Sequence, residues 1–150
     1  KVERATHPCH VPEFRALDFW VGEWTVRDTR VGHPVGRSSV QRILDDCVVL
    51  ENWTGALGGE GKSFNTIDQT TKKWRQTWTD SSGQIYDFVG EAGTDQMVFQ
   101  RKSTSPDGKP MLLRMTLSKL PTGEVRQLSE QSLDAGKSWS VGYDFTYKKM

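Results

Sequence analysis

The sequence predicts an all-β chain closed into an up-and-down antiparallel barrel of about ten strands, with a short N-terminal helical turn. Three observations carry this prediction. From Glu23 onward, polar and apolar residues alternate with period two, broken roughly every ten residues by turn-forming residues. Only 35% of the 150 residues are hydrophobic, yet 6 are Trp and 6 are Phe, a balance that suits a thin β wall better than a helix bundle. Finally, Leu17-Asp18-Phe19-Trp20-Val21-Gly22-Glu23-Trp24 sets two Trp around a Gly just ahead of the first β run. That stretch reads as a plug under one end of a barrel, with Gly22 permitting close backbone approach.

In chain order, residues 1–16 read as an N-terminal tail and residues 17–150 as the barrel domain. The first dozen residues are polar, contain Pro8 and Pro12 and show no periodicity. Glu13 to Phe19 suits one or two helical turns, with Pro12 near the first helical position and Phe14, Leu17 and Phe19 on one side. The expected strands are Glu23–Val31, Arg37–Leu44, Cys47–Gly55, Lys62–Ile67, Lys73–Thr79, Gln84–Glu91, Met97–Lys102, Met111–Lys119, Glu124–Ser132 and Ser138–Lys148. The breaks between them, such as Gly32-His33-Pro34, Asp80-Ser81-Ser82-Gly83 and Pro121-Thr122-Gly123, supply positive φ, fixed φ or side-chain acceptors for turn amides. So many strands without a helix call for closure or a two-sheet sandwich, and short hairpin links favour up-and-down order.

The last strand shows which face is internal. Trp139, Val141, Tyr143, Phe145 and Tyr147 share one face, which in a single-layer barrel is the lumen. The same alternation turns Trp74, Gln76 and Trp78 inward. Glu51 falls on the face of Val49 and Trp53, Gln127 on that of Val125, and Arg114 alternates with Leu113 and Met115. Polar groups on an apolar inner face are costly unless paired or wetted, so they mark where a ligand site is expected. The other reading is a strand out of register.

A formal net charge of +1 lacks the basic surface that nucleic acid requires. No apolar run approaches the roughly 18 residues of a membrane span. The chain starts at Lys1 rather than Met, which fits removal of an export signal and a periplasmic or secreted location. Cys9 and Cys47 then read as one disulfide tying the tail to an early strand, the alternative being two unrelated buried thiols.

Ser132-Leu133-Asp134-Ala135-Gly136-Lys137-Ser138-Trp139 matches the Asp-box pattern. A single copy without a repeat reads as a hairpin clamp, not as evidence of sugar hydrolysis. His7-Pro8-Cys9-His10 and the distant His33 form an incomplete ligand set, so no metal site is expected. No nucleophile elbow, phosphate-binding loop or dinucleotide fingerprint is present. Glu51, and after it Glu130 or Asp87, are the carboxylates for acid–base work in a lumen. A Glu paired with Arg114 would instead stay ionised and structural, and this paired reading is the favoured one.

Asp18-Phe19-Trp20-Val21-Gly22-Glu23-Trp24, the Cys47 to Trp53 strand, Trp74-Arg75-Gln76-Thr77-Trp78 and Val125-Arg126-Gln127 together resemble a family of small exported bacterial proteins, the DUF1579 group. That family is lipocalin-like, or calycin-type, and the resemblance covers most of the chain from residue 17. It implies a barrel with an interior cavity, in which the D-F-W-x-G-x-W opening closes the base. The related nitrobindins bind haem through a late histidine, but no His follows His33, so no cofactor is expected.

The expected function is binding of a small hydrophobic or amphipathic molecule, in part aromatic, within the lumen. Trp53, Trp74, Trp78, Tyr86 and Tyr143 would supply its walls, and Glu51, Gln76, Arg114 and Gln127 would orient polar groups. The alternative is a lyase, isomerase or cyclase with Glu51 as general base and Arg114 steadying an anion. Because Trp20 and Trp24 form the floor, the ligand is expected to enter from the opposite end.

Overall fold

The alternating pattern becomes strands at every expected place, and each strand pairs with its neighbours in sequence. The computed structural model describes residues 7–150. The described residues form ten strands: β1 (Gly22–Asp28), β2 (Pro34–Ile43), β3 (Val48–Gly55), β4 (Glu60–Ile67), β5 (Trp74–Asp80), β6 (Ile85–Gly93), β7 (Gln96–Thr104), β8 (Pro110–Lys119), β9 (Val125–Ser132) and β10 (Ser140–Lys149). All pairings are antiparallel, and β10 returns to β1 with Trp24 opposite Lys149 and Asp28 opposite Phe145. The sheet is a closed up-and-down barrel.

Local chemistry sets the strand ends. β1 stops at Asp28, not Val31, because the Asp28 carboxylate accepts the amides of Arg30 and Val31 and turns the chain. Gly32 then takes a φ of 77°, which costs Gly little. The β9–β10 turn is clamped in the same manner. Asp134 accepts from the Ser138 amide at 2.8 Å and from the Ser132 hydroxyl at 2.8 Å, and Trp139 Nε1 donates to the Gly136 carbonyl at 3.2 Å.

The segment before β1 is packed rather than loose. It forms two short 3-10 turns, Pro12–Arg15 and Asp18–Trp20, and buries Phe14, Leu17 and Trp20 under the barrel. Only residues 1–6 of the expected tail lie outside the described residues. Cys9 and Cys47 are bonded, with Cα atoms 5.0 Å apart. The bond fastens this segment to the β2–β3 turn. His7 and His10 stack at 4.5 Å and approach the Asp45 and Asp46 carboxylates of the same turn.

Two expectations about the inner face are corrected. Between Val141 and Tyr143 the β9–β10 register shifts by a bulge, which turns Val141 outward to 47% exposure. Trp139 precedes β10 and lies outside, beneath the Arg114 guanidinium, with 3.9 Å from Cζ to the ring centre. Below the bulge the period holds, and Tyr143, Phe145 and Tyr147 face the lumen.

The interior is layered. Phe14, Leu17, Trp20, Trp24, Trp74, Phe99, Leu117 and Val125 fill the end that holds the chain's entry. Trp24 Nε1 donates to the Trp20 carbonyl at 2.8 Å, and both rings meet Tyr147 edge-on at 6.2 Å between centres. Above this apolar floor comes a buried polar layer, and above that an open cup.

One seam in the wall differs from the others. β6–β7 pairing spans Val89–Gly93 and Gln96–Gln100 only. β6 begins at Ile85 and pairs there with β5, while β7 continues to Thr104 alongside β8. The two strands therefore part at the open end.

Candidate ligand cavity

The cup is a cavity of about 750 Å³ that opens away from the Trp20–Trp24 floor. This is the size range of sites for drug-sized molecules. Its walls carry Trp53, Trp78, Phe88 and Phe145, with Met111 and Leu113 on the β8 side. Trp53 and Phe145 stack nearly parallel at 6.1 Å, and Tyr143 continues the stack at 4.5 Å from Phe145. Such wide rings fit a narrow barrel because a neighbouring strand gives way. A Cβ on Gly36 would fall 2.7 Å from the Trp53 ring, and one on Gly61 would fall 2.3 Å from the Trp78 ring. Each aromatic thus lies over bare backbone.

A continuous hydrogen-bonded layer forms the cavity floor. Gln76 Nε2 donates to Asn65 Oδ1 at 2.8 Å, and Asn65 Nδ2 donates to Ser63 Oγ at 3.0 Å. Ser63, Ser38 and Tyr147 hydroxyls bond the Glu51 carboxyl, the last two at 2.8 Å. Tyr147 also lies 3.4 Å from Gln127 Oε1, and Gln127 Nε2 reaches Met115 Sδ at 3.2 Å. These partners meet the demand that buried polar groups be satisfied.

Glu51 is 3% exposed, and no ion pair among the described residues includes it. Burial pushes its carboxyl above the ordinary range, and the hydroxyls of Ser38, Tyr147 and Ser63 only partly offset that. Burial, with the Glu51 carboxyl close by, also raises the Tyr143 and Tyr147 phenols. The favoured pairing of Arg114 with a Glu is found, but with Glu130 and outside the lumen, and the expectation that Arg114 stands beside Glu51 in the site is corrected. Strict alternation with Leu113 and Met115 turns Arg114 to the outer face, where it pairs with Glu130 directly across β9 at 3.1 Å. Asp87 is also outside, accepting from Thr77 at 2.7 Å.

A raised carboxyl fixes the sign of a pH effect. The stabilising contribution of neutral Glu51 is complete below its ordinary value of 4.5 and is lost as pH rises through its higher folded value. Glu51→Gln keeps a neutral, hydrogen-bonding group there at every pH. The melting temperature of the variant minus that of the native protein is expected to rise with pH between about 4 and 8. The underlying slope is at most about 1.4 kcal/mol per pH unit. Asp134 and Asp80 act oppositely. Ser138 holds the first at about 2 and Ser82 the second at about 2, so their contributions vanish in acid. Both proteins share those two groups, so the difference isolates Glu51. Parallel melting curves at all pH values would contradict a neutral Glu51.

Of the residues expected in the site, Glu51, Trp53, Gln76, Trp78, Tyr86, Gln127 and Tyr143 line the cavity. Trp74 faces inward but lower down, buried in the floor 6.3 Å from Phe14. Arg114 is outside. Arg101 was not anticipated. It follows Met97 and Phe99 on the inner face of β7, and extending that alternation by one step would have found it. His7 and the two cysteine sulfurs lie within 4.8 Å of one another, but the disulfide occupies both sulfurs, so no thiolate ligand is offered.

A closed ten-stranded antiparallel barrel, filled at one end and hollow at the other, is a calycin/lipocalin-like barrel. No protein-family model matches the chain, and no curated protein does so at a significant level. The class rests on the fold.

Proposed function

We propose that the chain binds a small amphipathic molecule, partly aromatic or alkyl, inside the barrel. The carrying observation is the cavity itself: an aromatic cup of about 750 Å³ above a satisfied polar floor. Stacking surfaces supply contact area at low entropic cost, and the polar layer orients one end of the guest. An enzyme with Glu51 as base and Arg114 as anion partner lacks support, because Arg114 lies on the outer face beside Glu130.

The test is titration of intrinsic Trp fluorescence with matched small amphiphiles. Saturable quenching is expected, reduced by Trp53→Ala, while Trp139→Ala on the outer face leaves it unchanged. No saturable response with any amphiphile would refute the reading.

Placement in the exported lipocalin-like group, and a periplasmic or secreted location, belong to the same proposal. The Cys9–Cys47 bond supports an oxidising compartment. Among the described residues, no helix is long and apolar enough to cross a membrane.

A further inference from the structure

The two charged residues of the cavity lining sit in different settings. They are one carboxyl, Glu51, and one cation, Arg101. Glu51 sits in the polar floor, bonded by hydroxyls alone. Arg101 stands higher, on the stretch of β7 that has separated from β6. Its guanidinium carbon lies 4.2 Å from the Tyr86 ring centre and 5.6 Å from that of Phe88, so the side chain reaches across the parting and rests on β6 aromatics. No ion pair among the described residues involves it, and its Nε is buried with no hydrogen-bond partner.

That is an unusual state for a guanidinium. Arg126 is paired bidentately with Asp144 at 3.0 and 2.7 Å, and Arg114 with Glu130. Aromatic faces hold the Arg101 cation in position but do not satisfy its N–H donors. Half-buried at the mouth, with Nε buried and unpaired and no carboxylate beside it, such a group favours a partner that brings an anionic acceptor. The cup beside it is apolar and aromatic, so the remainder of that partner is a hydrophobic body.

We propose that the cavity selects organic monoanions: a carboxylate or sulfonate pairs with Arg101 at the β6–β7 parting, and an alkyl or aromatic body fills the cup against Trp53, Phe88 and Phe145. This rests on the binding function proposed above and narrows it to one ligand class. Burial of Glu51 in the polar floor raises its carboxyl and so disfavours the one negative charge that the lining could set against such a guest. A cationic amphiphile meets Arg101 at the mouth, and the one carboxyl of the lining, Glu51, lies below it in the floor, already bonded by three hydroxyls.

The experiment uses three probes with the same body and different heads: dodecanoate, dodecanol and dodecyltrimethylammonium. Each is titrated below its micellar range at neutral pH against the native chain, Arg101→Gln and Lys102→Gln. Lys102 is the next residue on β7 and is exposed, so its variant changes the net charge equally without altering the lining. Dodecanoate is expected to bind about tenfold or more tightly than dodecanol, with the ammonium weakest. Arg101→Gln is expected to bring dodecanoate down to the affinity of dodecanol, whereas Lys102→Gln preserves the preference. Circular dichroism and melting curves establish that both variants are folded. Equal affinity for dodecanoate and dodecanol would overturn the anion assignment while leaving lumenal binding intact. So would a preference that survives in Arg101→Gln or disappears in Lys102→Gln. Saturable binding of none of the three overturns both readings.

Discussion

Trp24→Ala is expected to destabilise the protein by about 3–5 kcal/mol, the range for removing a large aromatic from a packed core. Trp24 is 0% exposed, and its ring meets Tyr147 edge-on with the Lys149 ammonium 5.4 Å above it. Truncation removes these contacts and the Nε1 donor to the Trp20 carbonyl. Between β1, β10 and the entering chain there is little slack to close the void, since Trp20 is fully buried as well. Chemical denaturation of native, Trp24→Ala and Trp24→Phe proteins would measure this, with Phe intermediate. A loss below about 1 kcal/mol for the alanine variant would show that Trp24 does not hold the closed end. Ligand affinity is the separating readout, because Trp24 lies below the polar layer and does not itself line the cup.

Reducing the Cys9–Cys47 bond is expected to lower stability by about 4 kcal/mol on the chain-entropy account, for a loop closed over a sequence separation of 38. That corresponds to a fall in melting temperature of roughly 10 °C for a chain of this size. The bond restrains two things at once. It holds the segment carrying Phe14, Leu17 and Trp20 against the barrel. It also fixes the β2–β3 turn, in which Leu44, Asp45 and Asp46 all adopt positive φ, at 51°, 58° and 69°. Left-handed backbone costs about 1–2 kcal/mol per non-glycine residue, least for Asp, and survives where its surroundings over-determine it. Melting with and without a phosphine reductant tests the point, with Cys9→Ser/Cys47→Ser as the control that ignores the reductant. An unchanged transition on reduction would show that packing alone holds the segment.

Most of the architecture was legible in the sequence because period two and turn chemistry are local signals. Alternation placed Tyr143, Phe145 and Tyr147 on one face and Gln76 and Trp78 on another, and the strands carry them to a common lumen. It failed in three physical ways. A bulge adds a residue without a sequence signature strong enough to announce it, and Val141 turned outward as a result. Alternation gives the face of a strand but not the depth along it, so Trp74 was grouped with the cup although it lies in the floor. Chemical type can also be weighed above phase. Arg114 was attractive as an anion partner, yet its own neighbours Leu113 and Met115 already assigned it to the outer face, while Arg101 was in phase with Met97 and Phe99.

The parting of β6 from β7 also bears on how the chain behaves with other copies of itself. Along Ile85–Phe88 and Arg101–Thr104 the facing backbone donors and acceptors have no strand partner. Two short edges are thereby created in a barrel whose closure otherwise abolishes edges, and an exposed edge is a template for pairing between molecules. Asp87 and Lys102 put opposite charges on the outer side of those edges, a common device against such pairing. Amides on these two stretches should exchange with solvent faster than those of the paired seams, and hydrogen–deuterium exchange would display the seam as a discontinuity in an otherwise protected wall.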